Sequence, residues 1–476
     1  MTTTVPDAGS PSVPPYELDP AQLHDAVDRY SSNPIYRDAD RLHDGDNPYR
    51  RQLLPQAGLD YSVPLPRSRA LGRSALAGHR LLTNIYEADL VFLPEGAFGS
   101  MWSDFRAFYS PGNRALGEMI RPAVERHCFG FLDAEVEVTG DWTPAALEAY
   151  LSDIVRPDDA PYGGPERAVL DSADPQRAAR LWMIQFAPDF LSEASPMIRN
   201  VLGNYGPAQS EWFKIVIDEY GYGVHESKHS TLFIDTLRSL GLDASIHAYW
   251  QHYLAGSLAA NNYFHYIGKN HENFFRYLGA LYYTECTLVQ FCERVTRMLA
   301  EVFGDNADAH YFTEHVHIDV HHGRMALEKL VLPLVARCGD VVIPEIVRGV
   351  NEFRTVATLA DADIVAQIEW VDRLEEHVRL HDRLWPQLRA GELTAPATPG
   401  VGSSTTVITS DQYDEDTLLH VVSGTMRLIA GYDAERDLPA GSGIVIPAGR
   451  LHGATIRSGD CTFETYPVPG SAGCSS

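Results

Sequence analysis

Cysteine is sparse in this chain: six residues in 476, Cys128, Cys286, Cys292, Cys338, Cys461 and Cys474, none of them in a CxxC pair. Thiols scattered in this way read as reduced and cytoplasmic, and they exclude a disulfide framework. Positive charge is also scarce, with 38 Lys and Arg against 64 Asp and Glu, a net charge of −26. That balance argues against nucleic-acid and anionic-membrane partners, because both need a basic surface. No apolar run reaches about 18 residues, so no membrane span is expected. The first residues, MTTTVPDAGSPSVPPYE, lack a basic segment followed by an apolar one, so no secretory signal is expected either.

A 45% hydrophobic fraction over this length is enough for two or three domains with sizeable cores. Residues 1 to about 16 are rich in Pro, Ser and Thr and are expected to lack structure. From there to about residue 150, apolar residues recur at three- and four-residue spacing, which predicts a helical N-terminal domain suited to packing or dimerisation. A Pro/Gly/Asp-rich break covers 153–174. Six or seven long helices are then expected up to about residue 385, so that 151–386 forms an all-helical bundle. A Pro/Gly/Ser/Thr linker is expected over 386–404. Beyond it the apolar period switches to two, as in TTVITS and LLHVVSGTMRLIAG, so 387–476 is expected to hold a small β domain. The predicted fold class is mainly α with this small β domain.

One stretch stands out chemically, Tyr311-Phe-Thr-Glu-His-Val-His-Ile-Asp-Val-His-His-Gly323. On a helix, His315, Asp319 and His322 fall at i, i+4 and i+7, within roughly 60° of one another. Two imidazoles and a carboxylate on one face suit a first-row metal. His317 and His321 point elsewhere. Further acids interrupt apolar helix segments: Glu193 in FLSEASPM, Glu219 after WFKIVID and Glu285 in LGALYYTEC. With His229 they complete four carboxylates, which balance two divalent cations, and three imidazoles. Glu219 and His229 are ten residues apart, about 80° off one face of an ideal helix. The intervening Tyr220-Gly-Tyr-Gly-Val-His225 predicts a π-bulge or local unwinding there. His225 is an alternative ligand.

The segments FAPDFLSEASPMIRN, GPAQSEWFKIVIDEYGYGVHESKHSTLF, YFHYIGKNHENFFRYLGALYYTE and YFTEHVHIDVHHGRMA resemble the haem-oxygenase-like di-iron oxidases and oxygenases. The resemblance is strongest to their N-nitrosourea-forming branch and runs over almost the whole chain, including NPIY, DNPYRRQL and a C-terminal cupin. It implies a haem-oxygenase-like bundle with Glu193, Glu219, His229, Glu285, His315, Asp319 and His322 as ligands of two Fe(II) ions. It further implies O2 as co-substrate, an external reductant or reductase, and a homodimer formed through the N-terminal helices.

The second cupin motif is intact, from Gly441 through Pro447-Ala-Gly449 to His452. The first is not. Where the branch has a Glu and two histidines, this chain has Thr417, Asp411 and Tyr413. Asp411, Tyr413 and His452 offer O, O and N donors, but a barrel without iron chemistry is the expectation. The resemblance therefore implies a di-iron N-oxygenase of a natural-product pathway that acts on a guanidine-type or amino nitrogen of a small molecule. Its chemistry would stop at an N-hydroxylated or nitro product, with 2-aminoimidazole to 2-nitroimidazole the leading candidate and an arginine derivative the next. The alternatives are a di-iron oxidase that breaks C–C or C–H bonds and a non-catalytic binder of iron or a small molecule. The nitrogen that reacts must be unprotonated, whereas a free guanidinium has a pKa above about 12. The base this requires is not identifiable in the sequence.

Overall fold

The computed structural model describes residues 18–37, 47–157, 159–403 and 407–468. The stretch 1–16 expected to be unstructured, and Cys474, lie outside the described residues. The helices used below are α1 (Pro20–Ser31), α2 (Arg73–Glu87), α3 (Pro111–Phe129), α4 (Pro175–Phe190), α5 (Pro207–Glu219) and α6 (His229–Ser239). They continue with α7 (Ala255–Lys269), α8 (Phe274–Phe303), α9 (His310–Met325), α10 (Ile343–Asp372) and α11 (Leu374–Ala390).

Starts and stops follow local chemistry. Asp19 caps α1 and forms a reciprocal capping box with Gln22. Ser110 and Asp174 accept from the first turns of α3 and α4, and each is followed by Pro. The apolar faces of α1 to α3 are buried in one core with those of α5, α7 and α8. The N-terminal helices are thus packed onto the bundle and share its interior. A second core joins α4, α6 and the outer half of α8.

Helix α4 stops at Phe190, and Ala194 then adopts a left-handed φ of 61°. The chain is also broken between Glu219 and His229, where the sequence predicts an irregularity. One boundary differs from the sequence expectation. The expected linker over 386–404 is much shorter, because α11 continues through Pro386 to Ala390 and the first strand begins at Thr398. Pro386 is accommodated because α11 lies across the β domain, where its apolar face covers Leu418 and Val445.

The β domain is a curled antiparallel sheet of cupin-like form. Its strands are β1 (Thr398–Ser403), β2 (Val407–Asp411), β3 (Thr417–Gly431), β4 (Ala434–Pro439), β5 (Gly443–Ile446) and β6 (His452–Pro467). They run in the order β1-β6-β3-β4, with β2 on β6 and β5 on β3. Inward residues Leu419, Val421, Met426 and Leu428 form its core. The sheet is tied to α10: Arg450 donates to Asp363 at 3.1 Å, and Gln367 donates to the carbonyls of Ala430 and Leu451 at 2.7 and 2.9 Å. No described helix is long and apolar enough to cross a membrane.

Helices α8 and α10 touch at glycine. A Cβ on Gly279 would lie 1.9 Å from the Ile346 carbonyl oxygen, so only hydrogen fits there. Gly279→Ala should therefore push α10 outward and lower stability by about 1–3 kcal/mol. Because Glu285 lies six residues further along α8, bound iron should fall as well. Unchanged thermal unfolding and iron content would mean that the helices are not this close.

Candidate metal centre

Four elements and one turn bring together all seven residues singled out in the sequence. Glu193 comes from the turn after α4, Glu219 is the last residue of α5, and His229 is the first of α6. Glu285 lies midway along α8, and His315, Asp319 and His322 share the inner face of α9. His317 and His321 are exposed on its outer face.

The expected irregularity between Glu219 and His229 is local unwinding, in the form of two short 3₁₀ turns at Gly221–Gly223 and His225–Ser227. Gly221 has a φ of +59°, and a Cβ there would lie 2.5 Å from the Ser227 backbone. Only glycine lets the chain double back so tightly and return His229 to face Glu219. His225, the alternative ligand, is solvent-exposed and lies away from the cluster. A π-turn does occur nearby, over Ala326–Val331 directly after α9.

The seven side chains divide into two groups. Glu193, Glu219, His229 and His315 form one, and Glu219, Glu285, Asp319 and His322 form the other; within each group the donor atoms lie within 4.8 Å of one another. Glu219 belongs to both, and its two oxygens face opposite ways. Oε2 is 2.7 Å from His229 Nδ1 and 3.9 Å from His315 Nε2, while Oε1 is 3.5 Å from His322 Nδ1. Around the first group, His315 Nε2 lies 3.3 Å from Glu193 and 3.1 Å from His229 Nδ1. Around the second, His322 Nδ1 lies 3.3 Å from both Glu285 and Asp319.

Neighbours fix these side chains. His315 donates from Nδ1 to the Tyr311 carbonyl at 2.8 Å, which leaves Nε2 free to face the cluster. The Tyr311 hydroxyl donates to Glu193 at 2.7 Å. His322 Nε2 meets Asp218 at 3.0 Å, which aims Nδ1 inward. Sequence reading missed Asp218. Its one signal is placement: adjacent acids at the C-terminal end of a helix oppose the macrodipole and so call for another cause.

Six of the seven residues are buried, and the Glu193 side chain is 13% exposed. Both Asp319 oxygens, Glu193 Oε2 and His322 Nδ1 are buried without a hydrogen-bond partner. Orphaned acceptors and a ring nitrogen converging on two points are what cations would satisfy. The donor set of oxygen and imidazole nitrogen fits iron. Burial opposes charge on His322, but Asp319, Glu285 and Glu219 outweigh it and push its pKa up to about 12. His315 likewise overcomes burial through Glu193, Asp319 and Glu219, reaching about 10. Burial raises Glu285 to about 7, with Asp319 and Glu219 adding to the rise. Glu219, surrounded by His229, His315 and His322, is held down at about 2 despite its burial.

A cavity of about 360 Å³ opens onto this cluster between α4, α7, α8 and α10, with Glu193, Glu219, Glu285 and His315 in its wall. Its other walls mix aromatic side chains, including Phe186, Phe264, Phe291 and Phe353, with polar ones such as Asp189, Asn261 and Arg294. This size suits a small organic molecule.

Among the described residues, the β domain carries no comparable group. Asp411 and His452 sit opposite each other on β2 and β6, and Tyr413 lies against His452 with ring centroids 4.6 Å apart and the rings tilted by 34°. Arg73 of α2 reaches in and pairs with Asp411 at 3.0 Å. A guanidinium thus holds the carboxylate that would be needed for a metal. Burial lowers the His452 pKa and keeps its ring neutral. Among the described residues, both candidate metal groups lie in the helical bundle.

Comparison with known proteins agrees with this division. Residues 180–356, which contain all seven clustered residues, match a family described as iron-containing redox enzymes. The chain is also 55% identical over 456 residues to a nitrosourea synthase of Streptomyces achromogenes subsp. streptozoticus, covering 95% of this chain and 97% of that protein.

Because His315 and His322 have pKa values far above neutral, both rings hold protons until a cation displaces them. Loading Fe(II) at pH 7 should therefore release about two protons per chain or slightly more, and affinity should fall as pH falls. Calorimetry in buffers of different ionisation enthalpy measures this, and zero release would contradict it.

Proposed function

The chain belongs to the family of iron-containing redox enzymes that includes nitrosourea synthase, and from that membership we propose that it is a non-haem di-iron N-oxygenase. One observation carries the di-iron part of the reading: Glu219 presents one oxygen to each of two buried donor groups. Bound there, two Fe(II) ions would supply the capacity to activate O2, with electrons from an external reductant or reductase.

The protein's own groups do the rest. Glu193, His229 and His315 would hold one ion and Glu285, Asp319 and His322 the other, with Glu219 common to both groups. Tyr311 and Asp218 keep Glu193 and His322 in register. Phe186, Phe264, Phe291 and Phe353 in the cavity wall would pack against a flat substrate whose nitrogen faces the metal edge. The substrate is a small molecule with a guanidine-type or amino nitrogen. The cavity's size accommodates both 2-aminoimidazole, oxidised to 2-nitroimidazole, and an arginine derivative that is N-hydroxylated.

Despite its identity to a nitrosourea synthase, this chain is not proposed to make an N-nitrosourea. The β domain has Asp411 and Tyr413 where two histidines are expected, and Arg73 occupies Asp411. The domain acts as architecture, and the product leaves as the oxidised nitrogen compound. We further propose a homodimer through the N-terminal region, where Val91, Leu93 and Trp102 are 74%, 66% and 50% exposed.

Anaerobic loading with Fe(II), then O2, reductant and arginine, methylarginine or 2-aminoimidazole, tests the assignment by product mass. Gains in whole oxygen atoms, with ¹⁸O from labelled O2 on nitrogen, are expected. Label confined to cleaved carbon fragments would assign the protein to bond-breaking oxidation instead. Loss of metal without loss of any turnover in Glu219→Ala would mark it as a binder only.

A further inference from the structure

Several polar side chains of the cavity wall lie outside the metal centre, among them Gln185, Arg294, Asp361 and the pair Asp189 and Asn261. Asp189, on the last turn of α4, lines the cavity four residues before Glu193. Among the described residues, no side chain donates a hydrogen bond to its carboxylate, and no cation acts on it. Burial, followed by the charges of Glu193 and Glu219, pushes its pKa up to about 7. Asp189 is half-buried and shares the cavity wall with Glu193, Glu219 and Glu285, so a cationic ligand there would offset the repulsion among these acids.

Asn261 of α7 is the second. It is 4% exposed and lines the same cavity, and neither its Nδ2 nor its Oδ1 has a hydrogen-bond partner. Its neighbour Asn262 is fully satisfied, bonded to the His79 carbonyl at 2.9 Å and to Thr83 at 3.1 Å. The contrast places an unused amide donor and acceptor on the cavity side of α7.

We propose that Asp189 and Asn261 form the seat for the substrate's planar N–C–N edge, and that this seat selects a cationic amidine or guanidine over an uncharged urea of the same shape. The proposal rests on the N-oxygenase reading and supplies the group that the sequence did not reveal. Two N–H donors of the head meet the Asp189 carboxylate in fork geometry, and the Asn261 carbonyl accepts a third. The π faces of Phe186 and Phe190, stacked with centroids 5.0 Å apart, stand beside Asp189 and favour a flat cation. Burial disfavours the charged form of both partners, raising the acid and lowering the guanidinium. When one N–H bond breaks, its proton passes to Asp189 and its electron pair stays on nitrogen, which is the neutral form that can be oxygenated.

The test uses Fe(II)-loaded full-length protein under anaerobic conditions, with arginine, its uncharged isostere citrulline, and 2-aminoimidazole as calorimetric probes. Wild type should favour arginine over citrulline at least tenfold. Asp189→Asn, with iron content verified as unchanged, should weaken both cationic probes by about 10- to 100-fold and citrulline by less than threefold. Asn261→Leu removes groups that have no protein partner, so its unfolding temperature should hold or rise while arginine binding weakens about fivefold or more. A residue with a merely structural role would lose stability instead. If wild type binds the cations but Asp189→Asn leaves the arginine-to-citrulline ratio unchanged, the seat is wrong while the N-oxygenase reading stands. If wild type neither binds nor oxidises either cation, the guanidine reading falls and the seat with it.

Discussion

Four carboxylates in the middle of a helical bundle are the constraint on which this structure turns. Glu193, Glu219, Glu285 and Asp319 repel one another, and each loses hydration by being there. Three imidazoles offset part of this, and their raised proton affinities show how strongly the acids demand positive charge. What remains unsatisfied, chiefly both Asp319 oxygens and Glu193 Oε2, is directed at two points. Two divalent cations neutralise the four acids, so the polar core is costly as a scaffold and coherent as a metal centre.

The rest of the chain supplies rigidity around that core. Helix α10 forms one wall of the cavity and also anchors the β domain, through Asp363 to Arg450 and through Gln367 to Leu451. Helix α2 adds Arg80, which donates to Ser410 at 2.7 Å, and Arg73, which holds Asp411. The β domain therefore braces the cavity wall from behind. Arg73, which ties the β domain to α2, is also the residue that pairs with the Asp411 carboxylate.

How much of this was legible in the sequence depended on distance along the chain. His315, Asp319 and His322 share one helix face by periodicity alone, and the β domain announced itself by its period of two. Glu193, Glu219, His229 and Glu285 were identifiable only as acids and a histidine in apolar surroundings, because nothing local fixes which helices face each other. The break between Glu219 and His229 was signalled by Gly221 and Gly223, although its form, two 3₁₀ turns and not a π-bulge, depends on the close approach of Gly221 to Ser227. Asp218, Asp189 and Asn261 escaped notice because their roles come from neighbours on other elements. The end of α11 was misjudged for a related reason: Pro386 reads as a breaker locally, but packing against the β domain carries the helix past it.

The central claim is that Glu219 joins two iron positions into one centre. Mössbauer spectroscopy of ⁵⁷Fe-loaded protein after exposure to O2 tests it most directly. Two irons per chain with a magnetically coupled diferric ground state are predicted for wild type, with that coupling lost in Glu219→Ala. A single iron per chain, or two irons that are magnetically independent in wild type, would contradict the account.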